Sequence, residues 1–347
     1  MSADKRIPVA ILGATGAVGQ RFVQLLDQHP WFRVSALAAS ERSAGRRYAE
    51  AARWFLPQAM PEWARDMEVV PCLPGLDARV AFSGLDSSVA GSIEEEFARA
   101  GCAVVSNSRN HRMDPDVPLL IPEVNAEHLD LIEAQKKKRG GGGYIVTNPN
   151  CSTVGLALSA APLHRAFGIK RLVVATLQAI SGAGYPGVPS VDILDNVIPY
   201  IGSEEEKMES ETLKLLGTSR TAATFPVSAH CHRVQVSDGH TLAVSLETER
   251  RTTPDEAVRV LRDFRSPLAS LGLPSLPERP IIVRDEPDRP QPRFDRMAGD
   301  GMSVTVGRVR ACPVFGLKYE ALVHNTIRGA AGVAILNAEL LKSKGYL

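Results

Sequence analysis

"IPVAILGATGAVGQRFVQLLDQHP", residues 7–30, decides the fold. Its first six residues are apolar and partly β-branched, as in a buried strand. Gly13, Gly16 and Gly19 then punctuate a turn, and the apolar residues beyond recur at helical spacing until Pro30. Glycines let backbone amides approach a pyrophosphate, and a helix N-terminus adds favourable partial charge. The spacing G-x-x-G-x-x-G is a variant of the usual dinucleotide fingerprint. A plain tight turn is the other reading of the glycines; their place at the head of a strand–turn–helix unit favours the nucleotide.

Outward from this stretch, "FRVSALAAS", "EVVPCL", "RVAFSGL", "AVVSNS" and "YIVTN" follow as short apolar runs. Helical stretches such as "SSVAGSIEEEFARAG" lie between some of them. Alternating strands and helices predict an α/β, Rossmann-type doubly wound parallel sheet over residues 1–150. After Cys151 the texture changes. "STVGLALSAAPLHRAFG" reads as a helix, "IKRLVVATLQAIS" as a strand, and "DILDNVIPYI" and "SEEEKMESETLKLLG" as helical. "RVQVSDGHTLAVSLETE", "PIIVRD", "MSVTVGRVRAC" and "KYEALVHN" look like strands, and the proline-dense 278–292 reads as an exposed loop. This predicts an α+β domain over 151–325 with a mostly antiparallel or mixed sheet. A final helix, about 326–347, is expected to return to the first domain.

The bulk numbers exclude several classes. The 347 residues give room for two domains and a sizeable core. Lys plus Arg is 40 and Asp plus Glu is 39, so the net charge of +1 gives no reason to expect nucleic acid or an acidic membrane as partner. The one basic stretch, "KKKRGGGG" at 136–143, reads as a solvated helix end and a turn. Cys72, Cys102, Cys151, Cys231 and Cys312 are odd in number and scattered, which argues for a reducing cytoplasm over a disulfide framework. "MSADKRIPVAILGATG" passes from a polar lead into a strand, with no signal-peptide pattern. No apolar run approaches the length of a membrane span. His230 and His232 flank Cys231, but alternation along a strand accounts for the trio, and no metal is expected.

The end of the second predicted strand bears on the cofactor. An acidic residue there would bind the ribose 2′-hydroxyl, whereas "ASERSAG" offers Ser40, Arg42 and Ser43, with Glu41 between them. A cation and hydroxyls suit a 2′-phosphate, which favours NADP over NAD. Arg42 as an ordinary solvated loop residue stays open. Other oxidoreductases with such glycine turns usually carry Tyr-x-x-x-Lys, and none of the six tyrosines has a lysine four positions later.

Cys151 stands apart from the other cysteines. In "NPNCST" it follows Asn150, a good N-cap residue, which sets the sulfur at the first turn of a helix, where the thiolate form is favoured. A nucleophilic thiol beside a nicotinamide implies a reaction class. The thiolate adds to an aldehyde, hydride leaves to the nicotinamide, and the resulting thioester passes its acyl group to a second nucleophile.

These motifs together resemble the aspartate-β-semialdehyde dehydrogenase family, most of all its archaeal and fungal branch. "GATGAVG", "ASERSAG", "SNSRNHRM", "IPEVN", "NPNCST", "QAISGAGYPG", "EEEKMESET", "VSDGHT" and "HNTIRGAAG" occur in family order along nearly the whole chain. The resemblance implies reduction of aspartyl phosphate to the semialdehyde with NADPH and release of inorganic phosphate, on the way to lysine, threonine and methionine. It implies Cys151 as nucleophile, His240 as acid/base and Gln178 as the residue orienting the substrate. It sets Arg109, Asn150, Glu204, Lys207 and Arg233 with the substrate. It sets Gly13, Thr15, Gly16, Ala17, Val18, Ser83, Ser181, Gly182 and Asn325, with Ser40, Arg42 and Ser43, near the cofactor. It also implies a homodimer or homotetramer.

The residue chemistry agrees. A phosphate and a carboxylate both suit arginine's planar fork. Glu204 and Lys207, three apart, share a helix face, although a plain solvated face is the other reading of that pair. Arg233 and His240 are seven apart, which on an unbroken strand points them to opposite faces. The "SDG" turn at 237–239 offers a way to bring both to one site. Malonyl-CoA reductase shares the fold and the thioester chemistry and is the rival activity. N-acetyl-glutamyl-phosphate reductase fits the motifs less well. A non-catalytic NADP-binding regulator is the reading from another class, and an intact set of Cys151, Gln178, Arg233 and His240 argues against it.

Overall fold

β1 (Ile7–Leu12) lies inside a six-stranded parallel sheet and runs directly into the glycine turn. The computed structural model describes residues 5–140 and 142–347. Residues 1–4 of the polar lead and Gly141 of the basic stretch lie outside the described residues. The sheet continues with β2 (Phe32–Ala39), β3 (Val69–Pro71), β4 (Val80–Ser83), β5 (Ala103–Ser106) and β6 (Tyr144–Thr147). The spatial order is β3-β2-β1-β4-β5-β6. The order reverses between β1 and β4, where Leu12 pairs with Ala38 on one side and Ser83 on the other. In doubly wound sheets, nucleotides bind beyond the strand ends at such a reversal. Val9, Ala10, Ile11 and Leu12 are wholly buried, as in a sheet covered on both faces. The Ala17–Leu25 helix packs back onto the sheet through Phe22, stacked on Phe82 with centroids 5.0 Å apart.

The described chain divides into two compact units. The first holds the residues up to Leu119, His128–Asn148 and Ala334–Leu347; the second holds Leu120–Glu127 and Pro149–Val333. Within the first unit, His29 Nε2 meets Glu339 Oε1 at 2.9 Å, in a buried contact between residues 310 positions apart.

The second unit is built on a mixed sheet. Its strands are β7 (Ile169–Gln178), β8 (Val227–Arg233), β9 (His240–Thr248), β10 (Ile281–Val283), β11 (Val304–Cys312) and β12 (Gly316–Val323). They lie in the order β10-β11-β12-β9-β7-β8. β7 pairs with β8 in parallel and with β9 antiparallel. The Cys151–Phe167 helix is buried along most of its length, so it carries an almost continuous apolar sequence rather than a stripe.

Three local readings are corrected. The run 233–249 is not one strand: it divides between the last residue of β8 and β9, and β7 lies between those two strands. "DILDNVIPYI" holds only the end of a short Ser190–Ile193 helix, since Asp195 adopts a left-handed φ of 54° and Pro199 follows. The exposed-loop reading of 278–292 yields at its start to the strand read in "PIIVRD", which is present as β10, with Pro280 and Ile281 buried. Ile281–Val283 pairs with Val304–Val306, and the prolines flank this pairing instead of interrupting it.

Candidate active site

The first unit carries the glycine turn. Gly13 has φ +77°, and a Cβ there would meet the Gly84 carbonyl oxygen at 2.9 Å. A Cβ on Gly19 would run into the backbone of Gly13 and Ala14. Tyr48 Oη donates to the Ala14 carbonyl at 2.8 Å, and Gln20 Nε2 donates to the Thr15 carbonyl at 3.0 Å. Both carbonyls are thereby tied down. The helix that starts at Ala17 after its N-cap Gly16 has no side-chain cap and no acidic residue in its first turn, Val18 included. A turn of this shape, with amides at an uncapped helix start, fits a pyrophosphate. Ser40 and Arg42 are exposed just past β2, and Ser43 N–H closes the turn onto the Ser40 carbonyl at 2.8 Å.

Two other predicted residues belong to this unit. Arg109 is exposed in the turn after β5. Ser83 is wholly buried, and its side chain lies against Glu94. Burial pushes the Glu94 carboxyl up, and the hydroxyls of Ser83 and Ser106 and the charges of His111 and Arg112 offset part of that rise.

The second unit gathers Asn150, Cys151, Gln178, Ser181, Gly182, Glu204, Lys207, Arg233, His240 and Asn325. Asn150 caps the nucleophile helix: its Oδ1 accepts from Ser152 N–H at 2.9 Å and Thr153 N–H at 3.2 Å. Cys151 is the first helical residue, half-buried, and its Sγ lies 3.2 Å from His240 Nε2. His240 opens β9, and Ala179, just past β7, donates its N–H to His240 Nδ1 at 2.9 Å. Arg233, buried at the end of β8, donates from Nη1 to the Ala179 carbonyl at 2.7 Å. Burial lowers its guanidinium from the ordinary value, against the opposing influence of Cys151 and Glu204. The break between β8 and β9 therefore does what the spacing of seven demanded: the two residues approach from different strands.

Gln178 is buried and donates to Thr176 Oγ1 at 3.2 Å. A Cβ on Gly182 would lie 2.7 Å from Arg233 Nη1 and 3.1 Å from the His240 ring, so this position has no room for a side chain. Asn325 Nδ2 donates to Ser181 Oγ at 2.8 Å, while its Oδ1 accepts from Gly239 N–H at 2.9 Å. Glu204 is buried and accepts from Asn150 Nδ2 at 2.7 Å; Lys207 Nζ lies 3.3 Å from its other oxygen. The solvated-face reading of this pair is thus set aside.

Several participants went unread in the sequence. Glu211, buried in the Glu204–Leu216 helix, accepts the Asn150 backbone N–H at 2.6 Å. It stands seven residues from Glu204, a same-face spacing that was available as a signal. Arg328 and Glu123, both fully buried, form a two-pronged pair at 2.9 and 2.7 Å. Arg328 belongs to a π-helical turn, Ile327–Ala331, and a Cβ on the next residue, Gly329, would lie 2.8 Å from the Cys151 Cβ. π-Turns cluster at functional sites, but apolar periodicity does not reveal them.

Comparison with known proteins identifies a family. Residues 8–132 match the family model described as semialdehyde dehydrogenase, NAD binding domain. Residues 160–328 match semialdehyde dehydrogenase, dimerisation domain. The aspartate-semialdehyde dehydrogenase of Archaeoglobus fulgidus is 54% identical over 341 residues, covering 97% of this chain and 98% of that one. That of Cryptococcus neoformans is 47% identical, with both chains covered in full. Among solved structures, the Candida albicans aspartate-semialdehyde dehydrogenase with NADP superposes with a TM-score of 0.90 at 45% identity, over 99% of this chain and 100% of that one.

Proposed function

The chain belongs to the aspartate-semialdehyde dehydrogenase family, and from that premise we propose that it converts L-aspartyl 4-phosphate to L-aspartate 4-semialdehyde with NADPH. This places it in lysine, threonine and methionine biosynthesis, as a phosphorylating NADP-dependent aldehyde dehydrogenase in the reverse direction. The observation that carries the reading is the 3.2 Å approach of Cys151 Sγ to His240 Nε2 at a capped helix start, with the buried Arg233 cation beside it.

Cys151 attacks the acyl carbon and expels phosphate, leaving a thioester on sulfur. Arg233 spends one N–H on Ala179, and the rest of its fork suits the substrate's α-carboxylate. Glu204, held by Asn150 and Lys207, offers a carboxylate to the substrate's ammonium group. Lys207 supplies a cation for the phosphate and Gln178 orients the acyl group; Arg109, in the first unit, is a phosphate-binding candidate on the family resemblance alone. The turn at Gly13, Thr15, Gly16, Ala17 and Val18 suits the dinucleotide's pyrophosphate, and Ser40, Arg42 and Ser43 suit its 2′-phosphate. Ser181, Gly182 and Asn325 are further candidate cofactor residues on the family resemblance, as is Ser83 in the first unit. Bound NADPH supplies hydride.

The dimerisation-domain match supports a homo-oligomer. Val191, Leu194, Val197 and Tyr200 are exposed along one stretch of the second unit and are the proposed seat of a second copy, as a dimer or a pair of dimers. No described helix is long and apolar enough to cross a membrane. All five cysteines are free thiols, which suits the cytoplasm.

The test is a side-by-side assay. Aspartyl phosphate should be reduced with NADPH, and the semialdehyde oxidised with NADP and phosphate. Preferential reduction of malonyl-CoA would overturn the substrate assignment.

A further inference from the structure

β8 closes one end of the second unit's sheet, so alternate N–H groups along it face away from β7. Left open, such a row of donors invites another strand. Three successive outward donors are met instead. Ala229 N–H donates to Glu209 Oε1 at 3.0 Å, and Cys231 N–H donates to Glu205 Oε1 at 2.9 Å. Arg233 N–H donates to the Ile198 carbonyl at 2.9 Å, and its own carbonyl accepts from Ile198 N–H at 3.0 Å.

The first two acceptors sit on one helix, Glu204–Leu216, and their spacing matches that of the strand. Four residues of helix rise about 6.0 Å, and two residues of strand about 6.6 Å. Two carboxylates one helical turn apart therefore reach two consecutive outward amides only when the helix lies along β8 at one register. A slip by one helix residue would swing both carboxylates about 100° off the strand. Met208, between the two glutamates in sequence, is wholly buried, and its sulfur lies 3.6 Å from the Cys231 thiol. Glu205 and Glu209 are themselves half-buried.

The helix runs antiparallel to the strand. Glu209 lies at Ala229 and Glu205 at Cys231, so the helix start is carried toward the end of β8, where Arg233 stands. There the charge of Glu204 is felt at the Arg233 guanidinium. In the proposed reaction these two groups take the two charges borne by one substrate carbon, Arg233 the carboxylate and Glu204 the ammonium. Such groups work only when held to within about 0.5 Å. Their separation is a dimension of the substrate, and it is set by where the helix lies on the strand.

We propose that Glu205 and Glu209 are positioning residues: a two-point clamp that fixes the helix at one register on β8, holds Glu204 at the ammonium distance from Arg233, and so selects substrates bearing an α-ammonium beside the carboxylate. The proposal rests on the head-group roles of Arg233 and Glu204 in the proposed function, and it adds two residues that touch no substrate. Covering the sheet edge is a second effect of the same bonds, and the two effects part under substitution.

The test compares two aldehydes in the oxidative direction with NADP: aspartate semialdehyde and succinate semialdehyde, the same molecule without its α-ammonium group. Phosphate is kept saturating, because Lys207 rides on the same helix. The quantity read is the ratio of the two kcat/KM values, in which losses common to both substrates cancel. Glu209→Ala, and the double variant Glu205→Ala/Glu209→Ala, should lower the parent's preference for the amino substrate about tenfold, the worth of one charge-assisted contact. Glu209→Gln keeps an acceptor for the Ala229 amide and should stay within about twofold of the parent. An unchanged ratio in the Ala variants, whatever their Tm, would leave the glutamates as edge covers and overturn the proposal; so would a Gln variant as impaired as the Ala one. Should the double variant not fold, Glu209→Ala alone decides. Hydrogen exchange, read by NMR of the full chain, checks the clamp without substrate. The Ala229 and Cys231 amides should exchange at least about tenfold faster in Glu209→Ala and Glu205→Ala respectively than in the parent; equal rates would overturn it. A parent with slow amides that oxidises neither aldehyde would overturn the proposed function and not the clamp.

Discussion

The two candidate sites are made of different material. The nucleotide turn of the first unit is backbone: a glycine at φ +77°, a glycine packed on its own turn, and an uncapped helix start. The site in the second unit is side chain: a thiol, an imidazole, a buried guanidinium and two buried carboxylates, drawn from four separate stretches of sequence. A backbone site needs only local geometry and tolerates exchange of the residues between its glycines. A side-chain site holds charge in a buried place, so each group needs a partner and no member is interchangeable.

The comparison breaks most visibly at Cys151. Cys151→Ser should lower kcat by at least about 10⁴-fold, as removal of a covalent nucleophile does, while NADP affinity measured by fluorescence titration stays near that of the parent. Residual activity within tenfold of the parent would remove the nucleophile. At the backbone site the expected effect is smaller and of another kind. Gly19→Ala should weaken NADP binding by more than about tenfold and lower Tm, because the methyl has only backbone to displace; normal affinity would show that the turn does not hold the cofactor. Arg42→Ala should raise KM for NADPH about tenfold, the loss of one charge-assisted contact, and leave KM for NADH almost unchanged. Equal changes for both cofactors would separate Arg42 from the 2′-phosphate.

The smallest effect lies within the nucleotide unit, at Glu94. Its carboxyl is raised in the fold, mainly by burial, so the folded state holds the proton more tightly than the unfolded chain. Stability from this group is therefore fully present below the ordinary carboxylate value and declines as pH rises through the raised one. Glu94→Gln should gain about 2 °C of Tm over the parent as pH rises across that window. A constant difference at every pH would place the cost elsewhere.

The same contrast sets what the sequence made legible. The 7–30 stretch carries its strand, turn and helix in local pattern, and the alternation of apolar runs and helices beyond it made the parallel sheet legible. Cys151 was legible because its N-cap is its sequence neighbour. Arg233 and His240 were legible as partners because the "SDG" turn between them offered a way to one site, but that β7 lies between their two strands had no local signal. The Ala179 amide had no signature at all, because every residue but proline owns an N–H. The Arg328–Glu123 pair joins positions 205 apart, and no local periodicity encodes such a contact.

The buried contact between His29 and Glu339 carries a consequence for synthesis on the ribosome. The first unit draws on both early and late sequence, and Ala334–Leu347 is translated after the whole second unit has emerged. The nascent nucleotide fold must therefore wait, with His29 lacking its carboxylate, through the making of more than half the protein. Chaperone dependence should be concentrated in that interval, and a ribosome stalled before residue 334 should present the first unit as a protease-sensitive intermediate.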